Sequence, residues 1–489
     1  MKKYTNYPSL LIVLIMIFTG CDDSFLELSH PGRLTYDKFY TTEADFQASL
    51  NACYFSLKSQ VNLLPAYNDL TTDNTFLNSY NATSDIYFFD SNNVPTNSST
   101  IKNFWQAAYR TIMLANKVIS EIGETDIPEN TKKVFTGEAK FIRAYTYFNL
   151  VRIFGGVPKY DQEIKDINQF YTVPRSSKEE IYEFIISDLT DALTIDSDRT
   201  PQQLVSAKGK ANSMAAKALL GKVYLQKLDY GNAATQLGGI ISNGGSSLEP
   251  DLNKIYDAQQ PFNGEIIFAV NYERVTGQNS PFTNWTLPKF SRNILPKVTS
   301  SDNGNGDYNI EPSLLAKFLP DDKRRKLIDS ADIVQGSSTI RYYYSKKYLD
   351  LGTTSDGYSA SDFIVLRYAD VLLMYADALN QTNKTADAYP YINEVRNRAG
   401  LPDLPTGYNK DQMNNAISNE RQLEFVLEGD RWFDLSFRGF AYLKNTLNSA
   451  APHSYNQKTA TIEDKEELFP IPADQVLLKP GVLIQNTGY

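Results

Sequence analysis

Cysteine is nearly absent from this chain: 489 residues carry only Cys21 and Cys53. Beyond Cys21 only Cys53 remains, so there is no intrachain disulfide framework. The core has to hold by packing, for which the length is ample. Histidine is as scarce: His30 and His453 are far apart and have no ligand-spaced partners. Zinc, phosphate-loop and nucleophile-elbow motifs are missing, and nothing calls for a cofactor. No apolar run reaches the roughly 20 residues that a membrane-spanning helix needs. An excess of basic charge is also lacking: 48 Lys+Arg face 57 Asp+Glu, a formal net charge of -9. That balance argues against nucleic acid or an anionic membrane surface as the main partner. Tryptophan is rare (3) while tyrosine is abundant (32), a residue that suits both helix packing and wet binding surfaces.

The N-terminus has the three parts of a secretory signal: Met1-Lys2-Lys3, an apolar stretch from Leu10 to Phe18, and small residues before Cys21. Cysteine directly after those small residues resembles a bacterial lipobox, with Phe18 where leucine is usual. The resemblance implies removal of residues 1–20, acylation of Cys21 and attachment of a soluble body to the membrane by lipid. Asp22-Asp23 directly behind the cysteine resembles the surface-export signal of Bacteroidetes lipoproteins; in enterobacteria an aspartate there would indicate inner-membrane retention.

Apolar residues recur at helical spacing along much of the body. The pattern predicts helices over 137–151, 178–193 (capped by Ser176 or Ser177), 211–228 and on to about 241, 368–379, about 385–399, 411–428 and 432–437. A small-residue stripe, Ala211, Ala215 and Ala218, lets a neighbouring helix approach closely. Two αα-hairpins follow from these helices, tetratricopeptide-like in style without a strict 34-residue period. The stretches 60–100 and 243–365 are rich in Asn, Ser, Thr, Gly and Pro with scattered aromatics, and read as loops carrying short strands, 265–271 foremost. The expected fold is therefore mainly α: a helical scaffold, chiefly 102–242 and 365–440, with a large loop-rich half, chiefly 60–100 and 243–365, all within one domain over 21–489.

Six motifs in order carry a family resemblance: Gly137–Tyr145 running on to Phe154-Gly155-Gly156-Val157-Pro158; Ala215–Leu225; Arg367–Leu373; Asn393–Gly400; Glu420–Leu435; and Phe469-Pro470-Ile471-Pro472 with Gln485–Tyr489. Together they resemble the SusD/RagB family, with Thr487 where that family usually has proline. The resemblance implies an outer-membrane, cell-surface lipoprotein that binds an oligosaccharide, or in some members a peptide, and delivers it to a TonB-dependent transporter of the SusC type. It implies no catalysis.

A sugar site needs flat aromatic faces with Asn, Asp and Arg around them to bond hydroxyls. The loop from Tyr67 to Asp90 supplies Asp73, Asn78, Tyr80 and Tyr87, and a second loop supplies Trp285 and Arg292. These six are the candidate ligand residues; packing beneath a long loop is the alternative for each aromatic. Trp105 and Trp432 lie in helical contexts and read as core. Glu420, Glu424 and Glu428 recur at helical spacing but are interleaved with Arg421, Arg431 and Arg438. They read as a salt-bridged helix surface rather than the facing carboxyl pair of a glycosidase, although a secreted hydrolase is the reading from another class. The tract Asp302–Asp307 reads as a turn-rich loop because glycines occupy would-be ligand positions of a calcium loop. Lys323–Lys326 reads as a solvated helix start.

Overall fold

The computed structural model describes residues 40–77, 85–196, 209–288, 304–335, 338–355, 357–450 and 461–489. Cys21 and the proposed signal lie outside them. The first described helix, α1 (Glu43–Val61), starts at a capping box in which Thr42 and Asp45 satisfy each other's backbone N–H groups. A π-helical turn, Ala66–Leu70, leads to the two-residue strand β1 (Thr75–Phe76). Helices then follow: α2 (Asp85–Asp90), α3 (Ser99–Glu121), α4 (Glu129–Phe154), α5 (Ile167–Thr172), α6 (Lys178–Ala192), α7 (Ser213–Gln226) and α8 (Tyr230–Asn243). The middle of the chain holds α9 (Leu252–Ile255), β2 (Ile266–Val270), α10 (Phe282–Thr286), β3 (Asn309–Ile310), α11 (Pro312–Leu315), β4 (Ile328–Gln335), β5 (Ser338–Ser345) and β6 (Phe363–Arg367). The remainder is α12 (Tyr368–Gln381), α13 (Thr385–Arg398), α14 (Lys410–Glu424), α15 (Arg431–Ser436), α16 (Phe440–Asn448) and α17 (Ala473–Leu478).

The long helices pack in series: α1 and α3 on α4, α4 on α6, α6 on α7, α7 on α8, α8 on α12, and α12 on α13 and α14. Sequence periodicity located α4, α6, α7, α8, α12, α13 and α14 but not α1 or α3, and α4 begins about two turns before Gly137. The close approach of α7 and α8 falls at Gly221, a residue outside the expected alanine stripe. A Cβ at Gly221 would lie 2.6 Å from Leu237 Cγ, so α7 and α8 touch where a larger residue would hold them apart. At the end of α4, Arg175 donates to the carbonyls of Phe154 (3.0 Å) and Gly156 (2.6 Å), and to Ile484 O and Asn486 Oδ1 (both 2.8 Å). The last carbonyl of the helix is thereby satisfied, and the C-terminal tail is tied to it.

Three small antiparallel pairs, β1–β3, β2–β6 and β4–β5, occupy the region expected to be rich in loops. The strand expected over 265–271 is β2, paired to β6. The stretch 60–100 differs from expectation. Residues 64–77 are buried, and the stretch contains the π turn, α2 and the start of α3. The cause is Tyr67, whose ring meets Phe89 (4.9 Å), Phe104 (5.3 Å) and Phe469 (4.9 Å) at steep angles, pulling the segment into the core. Trp105 and Trp432 are core, as their contexts suggested.

The carboxylate series on α14 is paired, but inside the protein rather than on a helix surface. Arg367 sits at the centre, fully buried. Its Nε donates to Glu428 Oε2 (2.7 Å) and its Nη1 to Glu265 (2.8 Å) and Glu424 (2.6 Å). Arg398 bonds Glu265 (3.1 Å) and Glu424 (2.5 Å), and Lys347 bonds Glu428 (2.6 Å). Arg324, expected in a solvated run, lies buried in a 3₁₀ turn, where Asp322, Glu420 and Glu424 accept four hydrogen bonds from its guanidinium. Arg396 completes the set on Glu420 (3.0 Å). Arg324, Lys347, Arg367, Arg396 and Arg398 thus balance Glu265, Asp322, Glu420, Glu424 and Glu428. The expectation failed at Arg324 because a charge run predicts solvation only when no opposite charge is brought to it by the fold.

Removing one member leaves a desolvated charge unpaired, at a cost of about 3–5 kcal/mol. Arg367→Met is expected to lower the chemical-denaturation midpoint clearly. Arg341→Met, at the exposed Arg341–Asp332 pair of the β4–β5 hairpin, is expected to leave it unchanged. Equal midpoints for the two variants would show that the network contributes nothing to stability.

Candidate functional site

The two loops expected to form a site meet at the shortest sheet in the molecule. Thr75 pairs with Ile310 and Phe76 with Asn309. Glu311 N donates to Asn74 O (3.0 Å), which extends the pairing by one bond. Asn309 Nδ2 donates to Gly306 O (2.7 Å) and Phe76 O (3.4 Å), closing the turn that leads into β3. That turn lies on α10: Asn305 N donates to Asn284 O (2.7 Å), Gly306 N to Leu287 O (2.8 Å) and Asp307 N to Trp285 O (2.9 Å). Gly304, at φ 115°, passes so close that a Cβ would lie 2.4 Å from Pro288 O, a position only glycine can fill. The glycines of the 302–307 tract therefore serve this turn, as expected of a turn-rich loop.

Trp285 is the outermost ring of an aromatic ladder. It meets Phe282 edge-on (5.7 Å) and Tyr308 at a tilt (6.3 Å). Phe282 then packs on Tyr348 (4.9 Å) and Phe363 (5.2 Å), which face each other in parallel. Trp285 is half-buried, while Phe282, Tyr308, Tyr348 and Phe363 are buried. The indole is thus packed against Phe282 and Tyr308 and remains partly exposed. The sequence placed Trp285 outside helical surroundings; it lies instead in the short helix α10, because buried Phe282 and Thr286 anchor both ends of that turn. Tyr308, Asn284 and Asn305 were not singled out. Their signal was only an Asn/Gly tract ending in tyrosine.

Of the other candidates, Asn78, Tyr80 and Arg292 lie outside the described residues. Tyr87 is half-buried on α2 beside Phe88 (6.3 Å). Asp73 reaches the junction but faces inward. Its carboxylate takes Arg431 (2.9 and 3.1 Å), Lys317 (3.2 Å) and Gln422 (2.8 Å). Burial pushes its pKa up, but the Arg431 and Lys317 charges outweigh burial and hold it well below the ordinary carboxylate range. Its oxygens are engaged within the protein, so it is a brace between β1 and the Arg431 helix rather than a group presented to a ligand.

Asp69 lies beneath the same junction. Burial drives its carboxyl up to about 7, against the pull of Asn74, the Leu427 and Gly429 N–H groups and the Lys347 charge. Asn74 Nδ2 (3.2 Å) and Leu427 N (3.2 Å) donate to Oδ1, whereas Oδ2 is buried without a hydrogen-bond partner among the described residues. The folded value lies above the ordinary 3.8, so the associated stability is fully present below that pH and is lost as pH rises to about 7. Asp69→Asn is therefore expected to raise the melting temperature at pH 8 and to give no gain at pH 4. An equal shift at both pH values would show that folding does not raise the pKa of Asp69.

Among the described residues no group of three or more His, Cys, Asp or Glu is placed to hold a metal, and no helix is long and apolar enough to cross a membrane. Residues 24–225 match a family model described as starch-binding and associating with the outer membrane, and residues 328–489 match the SusD family model. A SusD-like protein, P2, of Formosa agariphila is 26% identical over 528 residues, with 100% of both chains covered. A SusD-like protein from Bacteroides fragilis superposes with a TM-score of 0.78 at 22% identity, over 93% of this chain and 99% of that one. A laminarin-binding SusD-like protein superposes at 0.75 with 24% identity, over 92% and 100%. The motif order, the helical scaffold that carries the motifs and the two family matches agree, and the chain belongs to the SusD/RagB family.

Proposed function

We propose that this protein binds an oligosaccharide at the rim around Trp285 and delivers it to a SusC-like TonB-dependent transporter, held at the cell surface by a lipid on Cys21. The observation that carries the binding role is the half-exposed indole, fixed from behind by Phe282 and Tyr308 where the segments 67–77 and 284–308 join. A fixed aromatic face takes up the C–H face of a pyranose without first having to be ordered, which lowers the entropic cost of binding. Asn284 and Asn305, joined by their backbones beside it, add amide donors and acceptors for ring hydroxyls.

The family description, starch-binding and associating with the outer membrane, supports both the ligand class and the location. The laminarin-binding relative supports a glycan over a peptide. Binding is proposed to occur without chemistry. Glu424 and Glu428, the carboxylates that suggested a hydrolase, are held below their ordinary pKa: the arginine and lysine charges around them overcome the effect of burial. A carboxylate so engaged is neither a proton donor nor a free nucleophile.

Calorimetry of the protein without its first 21 residues against neutral oligosaccharides is expected to give saturable heat with one sugar class. Trp285→Ala is expected to weaken that binding at least tenfold without a change in melting temperature. Sustained heat with product release would overturn the non-catalytic reading, and full affinity in Trp285→Ala would move the site elsewhere. Cys21→Ser is expected to shift the protein from the membrane to the soluble fraction.

A further inference from the structure

A second concavity lies apart from the aromatic rim, on the solvent side of α1. It has a volume of about 670 Å³ and is lined by residues of α1, the end of β2 and the turn that follows. No residue of α10 or of the 304–308 turn contributes to it. Its size falls in the range of small-ligand sites, on the order of 300–1,000 Å³.

Two features set its chemistry. The first is Phe55, a large apolar side chain 50% exposed on a helix whose Phe46, Leu50, Leu57 and Val61 are buried. The second is a pair of ammonium groups. Lys58 Nζ has one long hydrogen bond, to Gln278 O at 3.4 Å, and Lys210 Nζ bonds Gln47 Oε1 at 2.7 Å. Neither meets a carboxylate within ion-pair distance among the described residues; lysines 117, 222, 227 and 347 each do, while the buried Lys479 bonds the Tyr160 hydroxyl instead. An unpaired cation pair is unexpected in a chain of net charge -9.

Lys58 is also partly desolvated. It stands over the rings of Phe55 (5.3 Å) and Tyr272 (5.1 Å). Burial lowers its pKa, while the more distant charges of Glu273 and Asp362 pull the other way. An ammonium has three donors, so Lys58 has capacity left for a ligand. The backbone carbonyl of Gln278 and the rings hold it in place without neutralising it.

We infer that this groove is a second binding site, for an acidic saccharide whose sugar ring lies against Phe55 and whose carboxylate or sulfate groups bond Lys58 and Lys210. An apolar ring beside unpaired cations, with the side-chain amides of Asn51, Asn271 and Gln278 around them, matches a charged sugar better than an acidic peptide, which needs no ring face. Glu273 also lines the groove and, as the one free-standing acidic side chain there, weakens binding by repelling the ligand's anionic groups.

Calorimetric titration of the full chain in detergent tests this, with a tetragalacturonate, a sulfated galactose tetrasaccharide and a neutral tetrasaccharide as probes. At least one acidic probe is expected to bind. Lys58→Gln and Phe55→Ala should each weaken it at least tenfold, as should a rise in salt from 50 to 500 mM. Glu273→Gln should tighten it several-fold, and Trp285→Ala should leave it unchanged. Binding of the tetragalacturonate alone would identify the anion as a carboxylate, and of the sulfated probe alone as a sulfate. No saturable binding by either acidic probe would overturn the inference. So would equal Lys58 dependence for the neutral sugar, equal affinity for a tetraglutamate peptide, or loss of acidic binding in Trp285→Ala. Neutral-sugar binding sensitive to Trp285 reports on the rim alone, so the two sites succeed or fail separately.

Discussion

Arg367 is the point on which the packing of the C-terminal half depends. It ends β6 at the entry to α12, and its guanidinium joins β2 through Glu265 to α14 through Glu424 and to the following turn through Glu428. A buried guanidinium is tolerated only when carboxylates and carbonyls take its donors in the right directions. That requirement fixes the relative positions of three segments more tightly than apolar packing would, because apolar contacts slide and bidentate ion pairs do not. α14 also sends Arg421 to Asp370 and Asp434, and α15 sends Arg431 to Asp73. A chain without a disulfide framework thus has its loops tied by charge.

The proposed binding rim depends on this frame. β1 and β3 share only two residue pairs, too few to stand alone. Asp73 braces β1 onto Arg431, and Tyr348, the inner ring of the aromatic ladder, donates to Leu427 O (2.8 Å) within the segment that follows α14. Trp285 is consequently held by a ladder whose inner rungs are anchored to the ion network. The exposed part of the site can vary in sequence while the anchored part stays in register, which fits a scaffold that presents different ligands from one fold.

The helices were legible in the sequence because each buries one face and so repeats its apolar residues every three to four positions. The 60–77 segment was misread because its Asn, Asp and Thr residues suggest a loop by composition. In the folded chain those side chains bond the local backbone, as Thr71 does to Tyr67 O (2.6 Å) and Thr72 to Asp69 O (2.8 Å), while Tyr67 carries the segment inward. Arg324 and Asp73 were misread for a related reason. A charged residue looks solvated until its partner, some 96 or 358 residues away in sequence, is brought to it.

The sequence by itself determined the helices α4, α6–α8 and α12–α15 and their order, the strand at 266–270, the core tryptophans and the family, since all of these leave periodic or ordered local patterns; α1 and α3 were not read from it. Only the tertiary structure decided which charges are buried partners, that Asp73 faces inward, that Trp285 and Tyr308 share one rim, and that Lys58 and Lys210 line one groove without ion-pairing to a carboxylate among the described residues. Those outcomes are set by contacts between segments distant along the chain, and one sequence carries no local signal of which distant segments will meet.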